Sequence, residues 1–242
     1  MLKIKRILRR IFKILFGLVA IAFCLVFVVC AVFGIKGYFM YRDAIDQVPI
    51  TEKVESIRSR EGFTTYEELP QIYKDAVISV EDHRFLSHNG IDVIAIGRAL
   101  LNDIRTMSPA EGGSTITQQL MKNLYFTQEK KLERKFAEVF AALDMESKYT
   151  KEEIFELYVN TIYFGSGYEG IYEAAQGYYG KNPSDLSDYE AVMLAGLPNA
   201  PSSYSLDTNP ALAKQRMRQV LIRMIDCNVM TVNRAEELLS ES

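Results

Sequence analysis

Both histidines of the chain, two adjacent carboxylates and an arginine fall within Glu81-Asp82-His83-Arg84-Phe85-Leu86-Ser87-His88-Asn89-Gly90. Titratable groups gathered at the end of a rigid element are where acid/base chemistry is usually placed. Glu81 closes an apolar run at helical spacing, Ile72, Ala76, Val77 and Val80. A carboxylate in that position can be partly desolvated, which raises a carboxyl's pKa and suits it to general-base work. The plainer alternative is an ordinarily solvated turn acid, with Asp82 and His83 capping the next turn. His83 and His88 stand five apart with no third ligand evident, so a zinc site is not expected.

A second constellation is Gly112-Gly113-Ser114-Thr115-Ile116-Thr117-Gln118-Gln119-Leu120-Met121-Lys122-Asn123. The glycines free the backbone, Ser114 or Thr115 can cap a helix, and Gln118 and Lys122 then lie one turn apart on one face. Free N–H groups, hydroxyls, amides and a lysine at a helix start make a cradle for an anion or a sugar. The spacing is neither that of a P-loop nor that of a G-x-S-x-G elbow, which argues against Ser114 as a nucleophile. The third constellation is Arg134-Lys135-Phe136-Ala137-Glu138. A helical wheel places Phe136, Val139, Phe140 and Leu143 on the buried stripe, Arg134, Glu138 and Ala141 opposite, and Lys135 between. Alone this reads as a solvated face with an i,i+4 pair. Beside the other two it reads as a second carboxylate with a basic pair, suited to a diphosphate or a divalent cation.

Helices must hold these groups. The apolar spacing predicts one ending at Glu81, a second through Ile91, Ile94, Ala95, Ala99 and Leu100 after the Asn89-Gly90 turn, and a third over residues 131–149. A fourth over 151–161 is opened by Thr150, with Glu153 three residues on as a capping box. Residues 173–179, 188–197 and 210–226 complete the set, and a long Gly-flanked loop precedes Ser114. Alternating polarity is scarce, so the domain is expected to be mainly α.

Ahead of the domain, residues 14–35 are uncharged and apolar. A run of about 22 residues spans roughly 33 Å, enough to cross a bilayer core. Lys3, Lys5, Arg6, Arg9, Arg10 and Lys13 precede it with no acid among them, so the N-terminus is expected in the cytoplasm and the rest outside. A cleaved signal peptide is the competing reading, but the run is longer than such a core and no small-x-small site follows. The expected organisation is a basic tail over 1–13, a transmembrane helix over 14–36, a stalk over 37–60 and a domain over 61–242. The net charge of −3 hides an asymmetry: without the six tail cations, 22 Lys and Arg face 31 Asp and Glu, a net of −9. Such an acidic domain is no nucleic-acid binder by bulk charge, and an anionic substrate needs a local basic cluster. Cys24 and Cys30 lie in the apolar run and Cys227 stands alone, which leaves no disulfide framework in the domain.

In this order, Glu-Asp-x-x-Phe-x-x-His-x-Gly (residues 81–90), Gly-Gly-Ser-Thr-Ile-Thr-Gln-Gln (112–119) and Arg-Lys-x-x-Glu (134–138) resemble glycosyltransferase family 51. These are the peptidoglycan glycosyltransferases that polymerise lipid II, also found as a domain of class A penicillin-binding proteins. Two later stretches agree. One is Lys151-Glu152-Glu153-Ile154-Phe155-Glu156-Leu157-Tyr158-Val159-Asn160 with Phe164-Gly165 and Gly170-Ile171; the other runs from Glu190-Ala191 to Leu194-Ala195-Gly196-Leu197-Pro198. The resemblance covers residues 61–227, and Phe155 and Val159 stand where leucines are expected.

The resemblance implies a mainly α, lysozyme-like fold with a head lobe and a smaller jaw lobe near the membrane. It makes Glu81 the general base that deprotonates the acceptor 4-hydroxyl, so that the oxygen displaces the donor's lipid diphosphate and an α-linked donor becomes a β-1,4 linkage. Lys122, Arg134, Lys135 and Arg98 are the implied holders of the leaving diphosphate. Glu138 is the second catalytic carboxylate, supporting that group or holding Mg²⁺ or Mn²⁺. Ser114, Gln118, Gln119 and Asn160 are implied hydrogen-bonders to sugar or phosphate, while His83 and His88 shape the site. Leu124-Tyr125-Phe126 is expected to dip into the membrane interface. The implied partners are lipid II, the growing glycan, the membrane and other cell-wall synthesis proteins, with the catalytic domain on the outer face of the cell membrane. The sequence holds no Ser-x-x-Lys and no Lys-Thr-Gly, and its one Ser-x-Asn, residues 87–89, stands without them, so glycan synthesis without cross-linking is expected. Two rivals remain: a lysozyme-like hydrolase or lytic enzyme acting on finished glycan, and a non-catalytic membrane-anchored scaffold.

Overall fold

The computed structural model describes residues 2–106, 112–126 and 131–240. The side chains of Leu100 and of the cations Lys3, Lys5, Arg6, Arg9 and Arg10 lie outside the described residues, as do residues 107–111 of the loop before Ser114. The helices are α1 (Leu2–Gln47), α2 (Ile50–Arg58), α3 (Gln71–Glu81), α4 (Val93–Thr106), α5 (Ile116–Tyr125) and α6 (Leu132–Glu146). They continue as α7 (Lys151–Val159), α8 (Ile171–Tyr179), α9 (Asp188–Gly196), α10 (Pro201–Tyr204), α11 (Pro210–Asp226) and α12 (Val232–Ser240). Among the described residues there is no strand, only an isolated bridge between Tyr163 and Glu169. The mainly α class follows from the sequence pattern.

Helix α1 is long and apolar enough to cross a membrane. It does not end where the apolar run ends. The expected stalk over 37–60 is replaced by two packed elements: residues 37–47 continue α1 along α6, and α2 buries Ile50, Val54 and Ile57. That segment looks like a linker because its apolar residues fall at i, i+4 and i+7, a single stripe in a polar stretch. Pro49, which cannot continue a helix, marks the break between α1 and α2.

The buried face of α6 also departs from the wheel. Its buried residues are Ala137, Glu138, Ala141, Ala142 and Met145, whereas Phe136, Val139 and Phe140 are half-buried and Leu143 is exposed. The helix is pinched between two neighbours. Its small-residue face meets α5, and its aromatic face meets α1, where the Tyr38 and Phe140 rings stand edge-on at 5.4 Å and Tyr41 donates to Asp144 at 2.9 Å. At the crossing, a Cβ on Gly37 would collide with Phe136 and lie 2.8 Å from the Glu133 carbonyl oxygen.

Helix α3, which carries Glu81, packs on α9 and α11, and α5 packs on α6 and α7. Helix α9 buries Ala191 through Gly196 without a break, as an interior helix does. Thr150 and Glu153 form the expected capping box of α7, and Phe155 and Val159 are fully buried in the core. Gly90 takes φ +80, and a Cβ there would come within 3.0 Å of the Ala142 backbone, so the turn after His88 presses directly on α6.

Candidate active site

Glu81 is the last residue of α3; Asp82 leaves the helix in a non-helical conformation. The two neighbouring carboxylates have opposite employments. Asp82 is buried, accepts from His88 Nε2 at 2.9 and 3.1 Å, and accepts the Ile116 N–H at 3.1 Å. It therefore ties the end of α3 to the following loop and to the first turn of α5. Glu81 is half-buried and faces open space. Its Oε2 accepts from Gln119 Nε2 at 2.9 Å, and Gln119 Oε1 in turn accepts from the Tyr158 hydroxyl at 3.3 Å. Burial first, and then the Glu81 charge, push the Tyr158 phenol far up, which keeps it a donor.

The start of α5 is held by Thr115. Its Oγ1 accepts the Gln118 N–H at 3.1 Å and donates to the Gly90 carbonyl at 2.7 Å, while Gln118 Oε1 accepts the Thr115 N–H at 3.1 Å. Gln118, expected to bind substrate, is 1% exposed and spent on this capping box. Asn160 is likewise corrected: it is buried and bonds Thr64 N–H, Thr64 O and Glu156 O, linking the segment after α2 to the end of α7. Both amides serve the framework: backbone groups take both ends of the Asn160 amide and the oxygen of Gln118.

Glu138 is 2% exposed and carries two cations, Arg134 Nε at 3.1 Å and Lys135 Nζ at 2.7 Å. The Arg134 contact is ionic rather than a directed hydrogen bond. Lys135 also donates to Ser114 Oγ at 2.8 Å, which fastens α6 to the loop before α5. Lys122 is half-buried on α5. Burial lowers its pKa, Glu138 and Glu81 raise it, and Arg134 and Lys135 lower it further. Lys122 thus feels both carboxylates, and the two motif groups converge on it. Three cations against Glu138 leave a net of +2, a match for a diphosphate. The same geometry does not fit a divalent cation on Glu138, whose oxygens already face Arg134 and Lys135. Among the described residues no cluster of three or more His, Cys, Asp or Glu is arranged for a metal.

Two cavities flank the Glu81–Gln119 hydrogen bond. One, of about 370 Å³, is lined by Glu81, His83, Arg98, Ser114, Arg216 and Arg223. The other, of about 480 Å³, is lined by Gln119, Lys122, Asn123, Tyr158, Thr161 and Tyr163. Asn199, just past α9, lines both. The structure corrects the placement of Arg98: it shares a cavity with Arg216 and Arg223, whereas Lys122 lines the other. Sequence reasoning passed over Arg216, Arg223, Asn199, Tyr158 and Tyr163. The available signal was that Arg216 and Arg223 sit seven apart, two turns along one face of α11.

The transglycosylase family model matches residues 48–225. The penicillin-binding protein 1A of Neisseria flavescens is 42% identical over 182 residues, 75% of this chain and 23% of that protein. That of Aquifex aeolicus (strain VF5) is 42% identical over 179 residues, 74% of this chain and 25% of the relative. A crystal structure of penicillin-binding protein 1A from Haemophilus influenzae aligns with TM-score 0.45 and 23% identity, over 74% of this chain and 17% of that one. The chain therefore spans no more than 25% of the length of these curated relatives.

Proposed function

The chain belongs to the transglycosylase family, and from that premise we propose that it polymerises lipid II into β-1,4-linked glycan at the outer face of the cell membrane. The observation that carries this reading is that Lys122 lines one cavity with Gln119, the hydrogen-bond partner of Glu81, and stands within electrostatic reach of the Arg134–Lys135–Glu138 group.

Glu81 is the base. Gln119 holds its Oε2, which leaves the other oxygen to take the proton of the acceptor 4-hydroxyl. The acceptor oxygen then bonds to the donor's anomeric carbon as the bond to the lipid diphosphate breaks. Lys122, Arg134 and Lys135 receive the negative charge that develops on that leaving group, and preorganised cations in a water-poor cleft are suited to this work. Glu138 sets the positions of Arg134 and Lys135. Ser114 reaches the same group through Lys135.

The membrane side is built to match. Tyr125 and Phe126, at the end of α5, line a groove of about 490 Å³ with Lys36, Phe39 and Met40 of α1. Tyr125 donates to the Val48 carbonyl at 3.0 Å, so the lower end of α5 is tied to the junction after the apolar helix. This tie to the end of the apolar helix supports the reading that Leu124-Tyr125-Phe126 meets the membrane interface.

Replacing Glu81→Gln tests the reading. Loss of a general base costs about 10²–10⁴-fold in turnover, and lipid II polymerisation by the variant is expected to fall by that factor with the fold intact. Near-normal polymerisation would sink the mechanism. Release of soluble fragments from mature sacculi, with no growth from lipid II, would instead make the protein a hydrolase.

A further inference from the structure

Tyr158 is wholly buried on α7, yet its hydroxyl reaches the base through a single intervening side chain, Gln119. We propose that Tyr158 is a positioning residue: through Gln119 it decides which oxygen of Glu81 takes and releases the acceptor's proton. The inference rests on the lipid II reading and deepens it.

Gln119 stands between two groups that need opposite ends of an amide. Its Nε2 donates to Glu81 Oε2 at 2.9 Å, and its Oε1 accepts from the Tyr158 hydroxyl at 3.3 Å. An ionised carboxylate only accepts, so before the reaction Glu81 alone suffices to keep the amide nitrogen against it. That constraint disappears when the acceptor's 4-hydroxyl gives up its proton. Glu81 is then a neutral carboxyl with one O–H, able to donate as well as accept. If the Gln119 amide turned over at that point, its oxygen would meet Oε2 and hold the proton there, between two side chains.

Tyr158 opposes the turn. Burial first, and then the Glu81 charge, push its phenol far up, so it stays protonated through the cycle. Gln119 Oε1 is the hydroxyl's partner among the described residues. An inverted amide would strand that O–H in a buried setting, with the cost that any unsatisfied buried donor carries. Both supports are rigid. Gln119 follows the Thr115–Gln118 capping box on α5, and Tyr158 belongs to a run from Ile154 to Val159 in which every residue is buried. The amide therefore keeps its N–H on Oε2 in both states of Glu81. The proton arrives on the other oxygen and passes from it to water, which returns Glu81 to its ionised form for the next addition.

A second buried phenol supplies the contrast. Tyr73, on α3 like Glu81, is fully buried, and burial and then the Glu81 charge raise its pKa as well. Its hydroxyl has no hydrogen-bond partner among the described residues. The two tyrosines share burial and nearness to the base and differ in the contact to Gln119.

The experiment measures lipid II polymerisation by the full chain in detergent micelles. The variants are Tyr158→Phe, which removes only the hydroxyl, Gln119→Ala, the two combined, and Tyr73→Phe. For Tyr158→Phe the expected result is a fall in kcat of about tenfold with KM within about twofold, the pattern of an interaction that serves the transition state. The combined variant should match Gln119→Ala alone, because a residue that works through another has nothing left to add. Tyr73→Phe should keep the wild-type kcat. An unchanged kcat in Tyr158→Phe, losses that add in the combined variant, or an equal loss in Tyr73→Phe would each overturn the proposal. So would a rise in KM with kcat kept, which would make Tyr158 a substrate contact. If Tyr158→Phe lowers Tm, hydrogen exchange of the Gln119 side-chain N–H groups reads the same contact on folded protein. Exchange is expected to be about tenfold faster than in the wild type, and unchanged exchange sinks the idea. Inactive Glu81→Gln beside fully active Tyr158→Phe removes this inference alone, whereas active Glu81→Gln removes the reading beneath it.

Discussion

The Glu81 half of the cleft hangs on buried polar bonds between core elements, whereas the cation half rides on α6, whose far face is clamped to α1. On the first side Asp82 joins α3 to His88 and to α5, and Tyr158 supports Gln119 from the fully buried face of α7. On the second side Arg134, Lys135 and Glu138 share α6 with Phe136, Phe140 and Asp144, the residues that receive Gly37, Tyr38 and Tyr41 of α1. Glu81 is thus registered to the core and the α6 cations to the long apolar helix. Under the proposed function, with a substrate whose diphosphate stays at the bilayer surface, this division would match each half to the frame its partner occupies.

The largest effect is expected from breaking the core side. Asp82→Ala leaves His88 and the Ile116 N–H without their buried partner, at a cost of roughly 3 kcal/mol. For a domain of this size that is a fall of about 6–12 °C in Tm, read by thermal unfolding in detergent, and polymerisation falls with it as Glu81 loses its mooring. An unchanged Tm would show that Asp82 does not organise this half.

Breaking the membrane side should look different. Gly37→Leu drives a side chain into Phe136 and the Glu133 carbonyl, a local overpacking cost of about 1–3 kcal/mol. The α1–α6 contact separates while the α3–α9–α11 core stays packed. Turnover of lipid II in vesicles is expected to fall about tenfold, as modest misplacement does, with a smaller Tm change than in Asp82→Ala. Full turnover in Gly37→Leu would detach the cation half from the anchor and remove the comparison.

These two halves were unequally legible in the sequence. Capping boxes carry their own signature, so Thr150–Glu153 could be read directly, while the cap of α5 was narrowed only to Ser114 or Thr115. The same box explains why the adjacent amides diverge: Gln118 is its fourth residue, and Gln119, about 100° further round the helix, is left to reach Glu81. Motif order isolated Glu81 and Glu138, but nothing local distinguishes a carboxylate that faces a cleft from one, such as Asp82, that receives a partner 34 residues later. The face of α6 was illegible because a helical wheel assumes one buried side, and α6 has two. Residues 37–58 failed for a related reason: their apolar positions make single stripes whose partners lie far along the chain. Arg216 and Arg223 resemble a solvated helix face until the fold brings them to the cavity that Glu81 and Arg98 also line.

The smallest effect concerns pH and belongs to the cation half. Burial lowers the Lys122 pKa from its ordinary 10.5, so Lys122 loses its proton earlier than an exposed lysine would as pH rises. The cleft then loses part of its charge, and KM for the diphosphate substrate is expected to climb at a pH below the usual lysine range. Stability must move the other way. The unfolded chain holds the Lys122 proton more tightly than the folded one, so across the window between the two pKa values folding is favoured by rising pH. Weaker binding with firmer folding over one pH interval is a combination that general alkaline denaturation does not produce. Lys122→Arg keeps its charge throughout and should flatten the alkaline rise in KM. If the rise persists in that variant, the titrating group lies elsewhere, and Lys122 does not link the base to the cations.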